Sequence, residues 1–130
     1  TYVEIDLTAQ HLWYYKAGML LMDSDFVSGT YYDYSRQTPG GTYTLKAKQR
    51  NQVLRPAPNE DGSYDYESPV SYWLPFNGGI GLHDANWRWN FGGNIYLYGG
   101  SHGCINLPVS FAGNFYENIE VGCPIVCFYR

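Results

Sequence analysis

The segment Ser101-His102-Gly103-Cys104-Ile105-Asn106 gathers a hydroxyl, an imidazole, a bare backbone, a thiol and a carboxamide. A thiol attacks as its thiolate, and its ordinary pKa of about 8.5 calls for a basic partner or a positive field. Two histidines offer that partner: His102, and His83, which lies 21 positions before Cys104 (104 − 83 = 21). A cysteine–histidine pair performs acyl transfer, with sulfur attacking a carbonyl while imidazole moves the proton. Gly103 lets bare backbone approach a substrate. The N–H groups of His102, Gly103 and Cys104 are candidates for holding an oxyanion. Asn106 is expected to brace this loop or touch substrate. Tyr72, Trp73, Gly79 and Trp87 are read as substrate-cleft residues, with core or rim packing as the alternative. Asp84 is read as structural, because adjacent side chains on a strand face opposite ways. His11 is read as a surface or half-buried residue.

These residues need elements to position them. Residues 2–7 alternate apolar and polar, as a strand with one wet face does. HLWYY at 11–15, a turn at Lys16-Ala17-Gly18 and MLLM at 19–22 read as a hairpin. FVSG at 26–29 either continues the return strand or forms a third. TYTLKAK at 42–48 alternates again. Residues 49–68 carry Arg55-Pro56-Ala57-Pro58-Asn59 and Asp61-Gly62 and read as an excursion from the core, either a lid or a surface loop. VSYWLPF at 70–76 is a strand or a cleft wall, and IGLH at 80–83 is a short strand that delivers His83. Pro108 to Glu120 is the one helix expected, with Pro108 at its first position and Gly122 as its C-terminal cap. That helix follows Cys104 closely enough for its N–H groups to favour the thiolate. Cys123 to Tyr129 reads as a closing apolar strand.

Composition bounds the class. The 130 residues fit one domain, 1–130, of mostly β structure. Hydrophobic residues make up 45% and charged residues 15%, which excludes a disordered tail. A net charge of −4 with no basic run argues against nucleic acid. No apolar run reaches the roughly 18 residues that a membrane span needs. The chain opens at Thr1, so an export signal or anchor is expected to lie outside it. Cys123 and Cys127 share a likely strand too extended for a disulfide and are read as buried thiols.

His83, a gap of 17 residues, and then Ser101-His102-Gly103-Cys104-Ile105-Asn106 resembles the signature of the L,D-transpeptidase family, also called YkuD. TPGGTY at 38–43, YVEIDLTAQHLWYYKAG at 2–18, SPVSYWLPF at 68–76 and GLHDANW at 81–87 extend the likeness, the latter two to enzymes of Gram-positive bacteria. The resemblance implies a YkuD-like β-sandwich of mixed sheets with one main helix after the catalytic cysteine. It implies Cys104 as nucleophile and His83 as base and acid. Ser101, His102 and Gly103 complete the catalytic set, the group that orients His83 being a neighbouring backbone carbonyl or part of the Ser101–Gly103 turn.

The implied reaction cross-links peptidoglycan outside the cytoplasmic membrane. Cys104 attacks the third residue of a donor stem tetrapeptide, D-Ala leaves, and an acceptor amine takes the acyl group. No cofactor is expected, and carbapenems are expected to acylate the cysteine. Water as acceptor would make the protein an L,D-carboxypeptidase. A cysteine peptidase of wall peptides, a zinc site of His83, His102 and Cys104, and a binding-only wall module are the remaining alternatives.

Overall fold

The computed structural model describes all 130 residues. It contains strands β1 (Tyr2–Asp6), β2 (His11–Lys16), β3 (Met19–Asp25), β4 (Gly41–Thr44), β5 (Gln49–Leu54), β6 (Ser68–Asn77) and β7 (Ile80–Asp84), followed by α1 (Ile95–Gly99), β8 (Ile105–Leu107), α2 (Val109–Asn118) and β9 (Pro124–Phe128). The order in one sheet is β3-β2-β1-β9-β4, and in the other β5-β6-β7-β8.

Alternation sets the first sheet. Val3 and Ile5 lie opposite Tyr14 and Leu12, so the apolar faces of β1 and β2 coincide. All four are at most 1% exposed. A slip of one residue would turn the whole set to solvent, which fixes the register. Ala17 and Gly18 both take positive φ, 51° and 81°, the backbone of a two-residue hairpin turn. β9 then enters between two earlier strands, parallel to β1 and antiparallel to β4.

In the second sheet β6 and β7 are antiparallel, and β8 runs parallel to β7. The two sheets and α2 share one core cluster of 18 buried residues, including Ile5, Leu12, Leu74, Leu82, Ile105, Phe115 and Ile125. The architecture is therefore the expected mostly-β sandwich of mixed sheets.

Several expectations change. Residues 49–54 form β5, paired with β6, so the excursion proper spans only 55–67. TYTLKAK stops being a strand after Thr44. FVSG is no strand; Val27 bridges to Asn106 and Gly29 to Ser101, tying this segment to the cysteine loop. A second, short helix, α1, precedes that loop. Pro108 is the cap residue before α2 instead of its first helical residue. The other end is capped at Ile119, and Gly122 (φ 93°) lies in the turn beyond. β8 and the cap residue Pro108 intervene between Cys104 and α2, so the helix does not follow the cysteine directly. No helix is long and apolar enough to cross a membrane.

Candidate active site

β7 places His83 with only 4% of its surface exposed. Its Nδ1 lies 2.7 Å from the backbone carbonyl of Asp84. A carbonyl only accepts, so Nδ1 carries the proton and Nε2 keeps the free lone pair of a base. The neighbouring carbonyl is thus the orienting group that the sequence left open. The rings of Trp73 and Trp87 flank the imidazole at 6.0 and 5.9 Å. Burial lowers the His83 pKa, the Asp84 carbonyl and carboxylate oppose that, and Arg88 adds to it. The Asp84 carboxylate faces the other way, as expected, and accepts the N–H groups of Ser71 and Tyr72 at 2.9 and 2.8 Å.

Cys104 sits half-buried just before β8, with Sγ 3.5 Å from the carbonyl of Gly79. Burial pushes the thiol up to about 11, and the N–H of Gly81 works in the opposite direction. With His83 lowered and Cys104 raised, the resting pair is a neutral thiol and a neutral imidazole. A thiolate–imidazolium pair is disfavoured at rest because burial penalises both charges.

The turn before Cys104 is braced from inside. The Ser101 hydroxyl donates to the Cys104 carbonyl at 2.5 Å and accepts from Gly103 N–H at 3.1 Å. That bond occupies the Gly103 donor, while the N–H groups of His102 and Cys104 make no hydrogen bond within the protein. Two of the three expected oxyanion donors therefore remain free. Gly103 takes φ +132°, which side chains rarely adopt. Thr38, fully buried, donates to the Gly103 carbonyl at 2.7 Å and accepts from Gly29 N–H at 2.9 Å. His102 is exposed, makes no side-chain hydrogen bond, and packs 4.3 Å from the ring of Tyr66 in the 55–67 loop.

Cys104, His83, Ser101 and His102 line one cavity of about 530 Å³, together with Trp73, Gly79, Trp87 and Asn106. Gly103 is buried beneath it. Tyr72 is not part of it: adjacent residues of β6 face opposite ways, and Tyr72 packs 5.2 Å from Tyr116 of α2. Asn106 is 1% exposed and its Oδ1 has no partner. His83, His102 and Cys104 do not assemble into a three-ligand metal set. Sequence reasoning missed Thr38, Tyr66, Gly81 and Arg88. Gly81 had a signal, a glycine inside an apolar strand, which marks close backbone approach. Arg88 had none.

Comparison with known proteins bears on this arrangement. The family model described as the L,D-transpeptidase catalytic domain, YkuD, matches residues 1–127. The chain is 30% identical over 96 residues to the probable L,D-transpeptidase 3 of Mycobacterium tuberculosis, covering 68% of this chain and 33% of that protein. It superposes on a crystal structure of Enterococcus faecium L,D-transpeptidase with a TM-score of 0.87 and 38% identity, covering 98% of this chain and 49% of the other. The catalytic domain of the E. faecium enzyme acylated by ertapenem matches with a TM-score of 0.81 and 40% identity, covering 98% and 95%. The chain thus spans about half of one solved relative's chain and a third of the curated relative.

Proposed function

The chain belongs to the YkuD family of L,D-transpeptidase catalytic domains, and we propose that it cross-links peptidoglycan through a thioester on Cys104. The observation that carries this reading is the placement of a half-buried thiol and a tautomer-locked histidine on one cavity. Sγ attacks the carbonyl of the third residue of a donor stem tetrapeptide as its proton passes to His83 Nε2. The Asp84 carbonyl holds the resulting imidazolium, and the His102 and Cys104 N–H groups face the oxyanion. His83 returns the proton to the leaving D-Ala nitrogen, and the C–N bond breaks. An acceptor amine then attacks the thioester, gives its proton to His83, and regenerates the thiol. Ser101, Gly103 and Thr38 keep the turn in shape without touching the reacting atoms. Trp73, Trp87, Gly79 and Asn106 contact the donor. The reading places the protein outside the cytoplasmic membrane, where its substrate lies, and makes the cysteine a target for carbapenems.

The test is intact-protein mass spectrometry of wild type, Cys104→Ala and His83→Ala with a disaccharide tetrapeptide. The expected result is a wild-type adduct lacking D-Ala, absent in Cys104→Ala, with a dimeric muropeptide accumulating. Tripeptide alone would make the protein an L,D-carboxypeptidase. A folded wild type giving neither adduct nor product overturns the reading.

A further inference from the structure

The five arginines differ in one respect. Arg36 pairs with Asp33, Arg50 with Glu117, Arg55 with Glu67 and Arg130 with Asp6, all within 3.4 Å. Arg88 has no carboxylate partner, in a chain with more acidic than basic residues. It is half-buried and lines the cavity of Cys104 and His83. Its guanidinium makes one hydrogen bond, from Nη1 to the Gly99 carbonyl at 3.0 Å, and its Nε is buried without a partner. A partly desolvated cation lacking an anion is costly, and a ligand's carboxylate would offset that cost. Arg88 is also close enough to His83 to help keep that imidazole unprotonated.

We propose that Arg88 recognises the terminal carboxylate of the donor peptide, and thereby selects donors that end one residue beyond the attacked carbonyl. This rests on the acyl-transfer reading above. With the attacked carbon at Cys104 and the leaving nitrogen at His83, the leaving residue's carboxylate follows across a single α-carbon. It therefore falls on the His83 side of the cavity, where Arg88 stands. A guanidinium takes a carboxylate through two parallel N–H···O bonds, which a neutral carboxamide cannot match. A longer donor would carry its charge one residue too far.

The experiment compares kcat/KM for thioester formation with three tetrapeptide donors: the free acid, the C-terminal amide, and one amidated only on the third residue's side-chain carboxylate if it has one. Wild type should prefer the acid over the C-terminal amide by roughly 10- to 100-fold, the range of a charge-assisted hydrogen bond. Arg88→Gln should bring that ratio close to one by lowering the rate on the acid alone, and Arg88→Lys should restore part of it. An acid-to-amide ratio near one in wild type overturns the proposal whether or not Arg88→Gln folds. So does an unchanged ratio in folded Arg88→Gln, or a preference that follows the side-chain carboxylate. Failure of wild type to form a thioester with any donor overturns the acyl-transfer reading instead, and this inference with it.

Discussion

In the proposed reaction, the burial of His83 and Cys104 sets the pH limits. Burial lowers the first and pushes the second to about 11, so neither group is charged near neutrality. Catalysis by this pair needs His83 free to take a proton. As pH falls through a depressed His83 pKa, the base is lost and the rate falls. The acid limb of kcat/KM for thioester formation should therefore lie below the ordinary histidine value of about 6.5. No alkaline limb from Cys104 should appear until pH approaches about 11. A pH–rate profile measured on a neutral donor amide, which leaves substrate charge constant, checks both limbs. A full thiolate signal in the ultraviolet at pH 7 would contradict the neutral resting pair. The same residues show how far sequence reading reaches. Cys104 and His83 could be singled out because acyl transfer calls for a thiol and an imidazole and their spacing resembles a family signature, and the structure sets both on one cavity. The carbonyl that orients His83 was not, since every residue carries one and only the backbone path of β7 selects that of Asp84.

The β6–β7 hairpin is the element that connects these two residues to the fold. Its turn brings the Gly79 carbonyl to Sγ, and two residues later Gly81 N–H faces the same sulfur. A Cβ at Gly81 would lie 2.6 Å from both the Leu74 carbonyl oxygen and Pro75 Cα, so β6 and β7 would have to part. A Cβ at Gly79 would meet nothing within 4 Å. Gly81→Ala is expected to destabilise by about 1–3 kcal/mol, as overpacking does, and Gly79→Ala by no more than about 0.5 kcal/mol. Urea unfolding of the two variants checks this, and equal stabilities would refute the close-packing account. Elements of this kind were legible in proportion to their pattern. β1, β2 and α2 show clean alternation or helical spacing over a buried face. β5 was missed because QRNQVL lies mostly in solvent and carries no apolar stripe. α1 was missed because five residues with no side-chain cap are too few to show helical spacing. β8 hid inside the chemical motif itself. Tyr72 and Trp73, adjacent and both aromatic, became distinguishable only once the pleat of β6 assigned them to opposite faces.

At the scale of the molecule the two ends of the chain form one structure. β9 inserts between β1 and β4, and Leu7 N–H donates to the Phe128 carbonyl at 2.8 Å. Past β9, the Tyr129 hydroxyl donates to the Thr38 carbonyl at 2.5 Å, and Thr38 in turn holds Gly103 beside Cys104. The last residues therefore support both the first strand and the turn before Cys104. Removing residues 124–130 would strip the ladder from β1 and β4 and take Ile125 and Cys127 out of the core. Burial of an Ile contributes about 1.5–3 kcal/mol, and every lost ladder bond near 1 kcal/mol adds to it. Against a total stability of about 5–15 kcal/mol for a domain, that loss leaves no folded margin. The truncated chain should show no cooperative thermal transition and no near-ultraviolet dichroism. Tyr129→Phe keeps β9 and loses only the hydroxyl, leaving the Thr38 carbonyl without its donor at a cost of about 1–3 kcal/mol. It should unfold cooperatively at a lower temperature and form the Cys104 thioester more slowly, because the strain reaches Gly103 through Thr38. A Tyr129→Phe protein with wild-type stability and wild-type acylation rate would break this chain of support at its first link, and a folded truncation would show that β9 is dispensable.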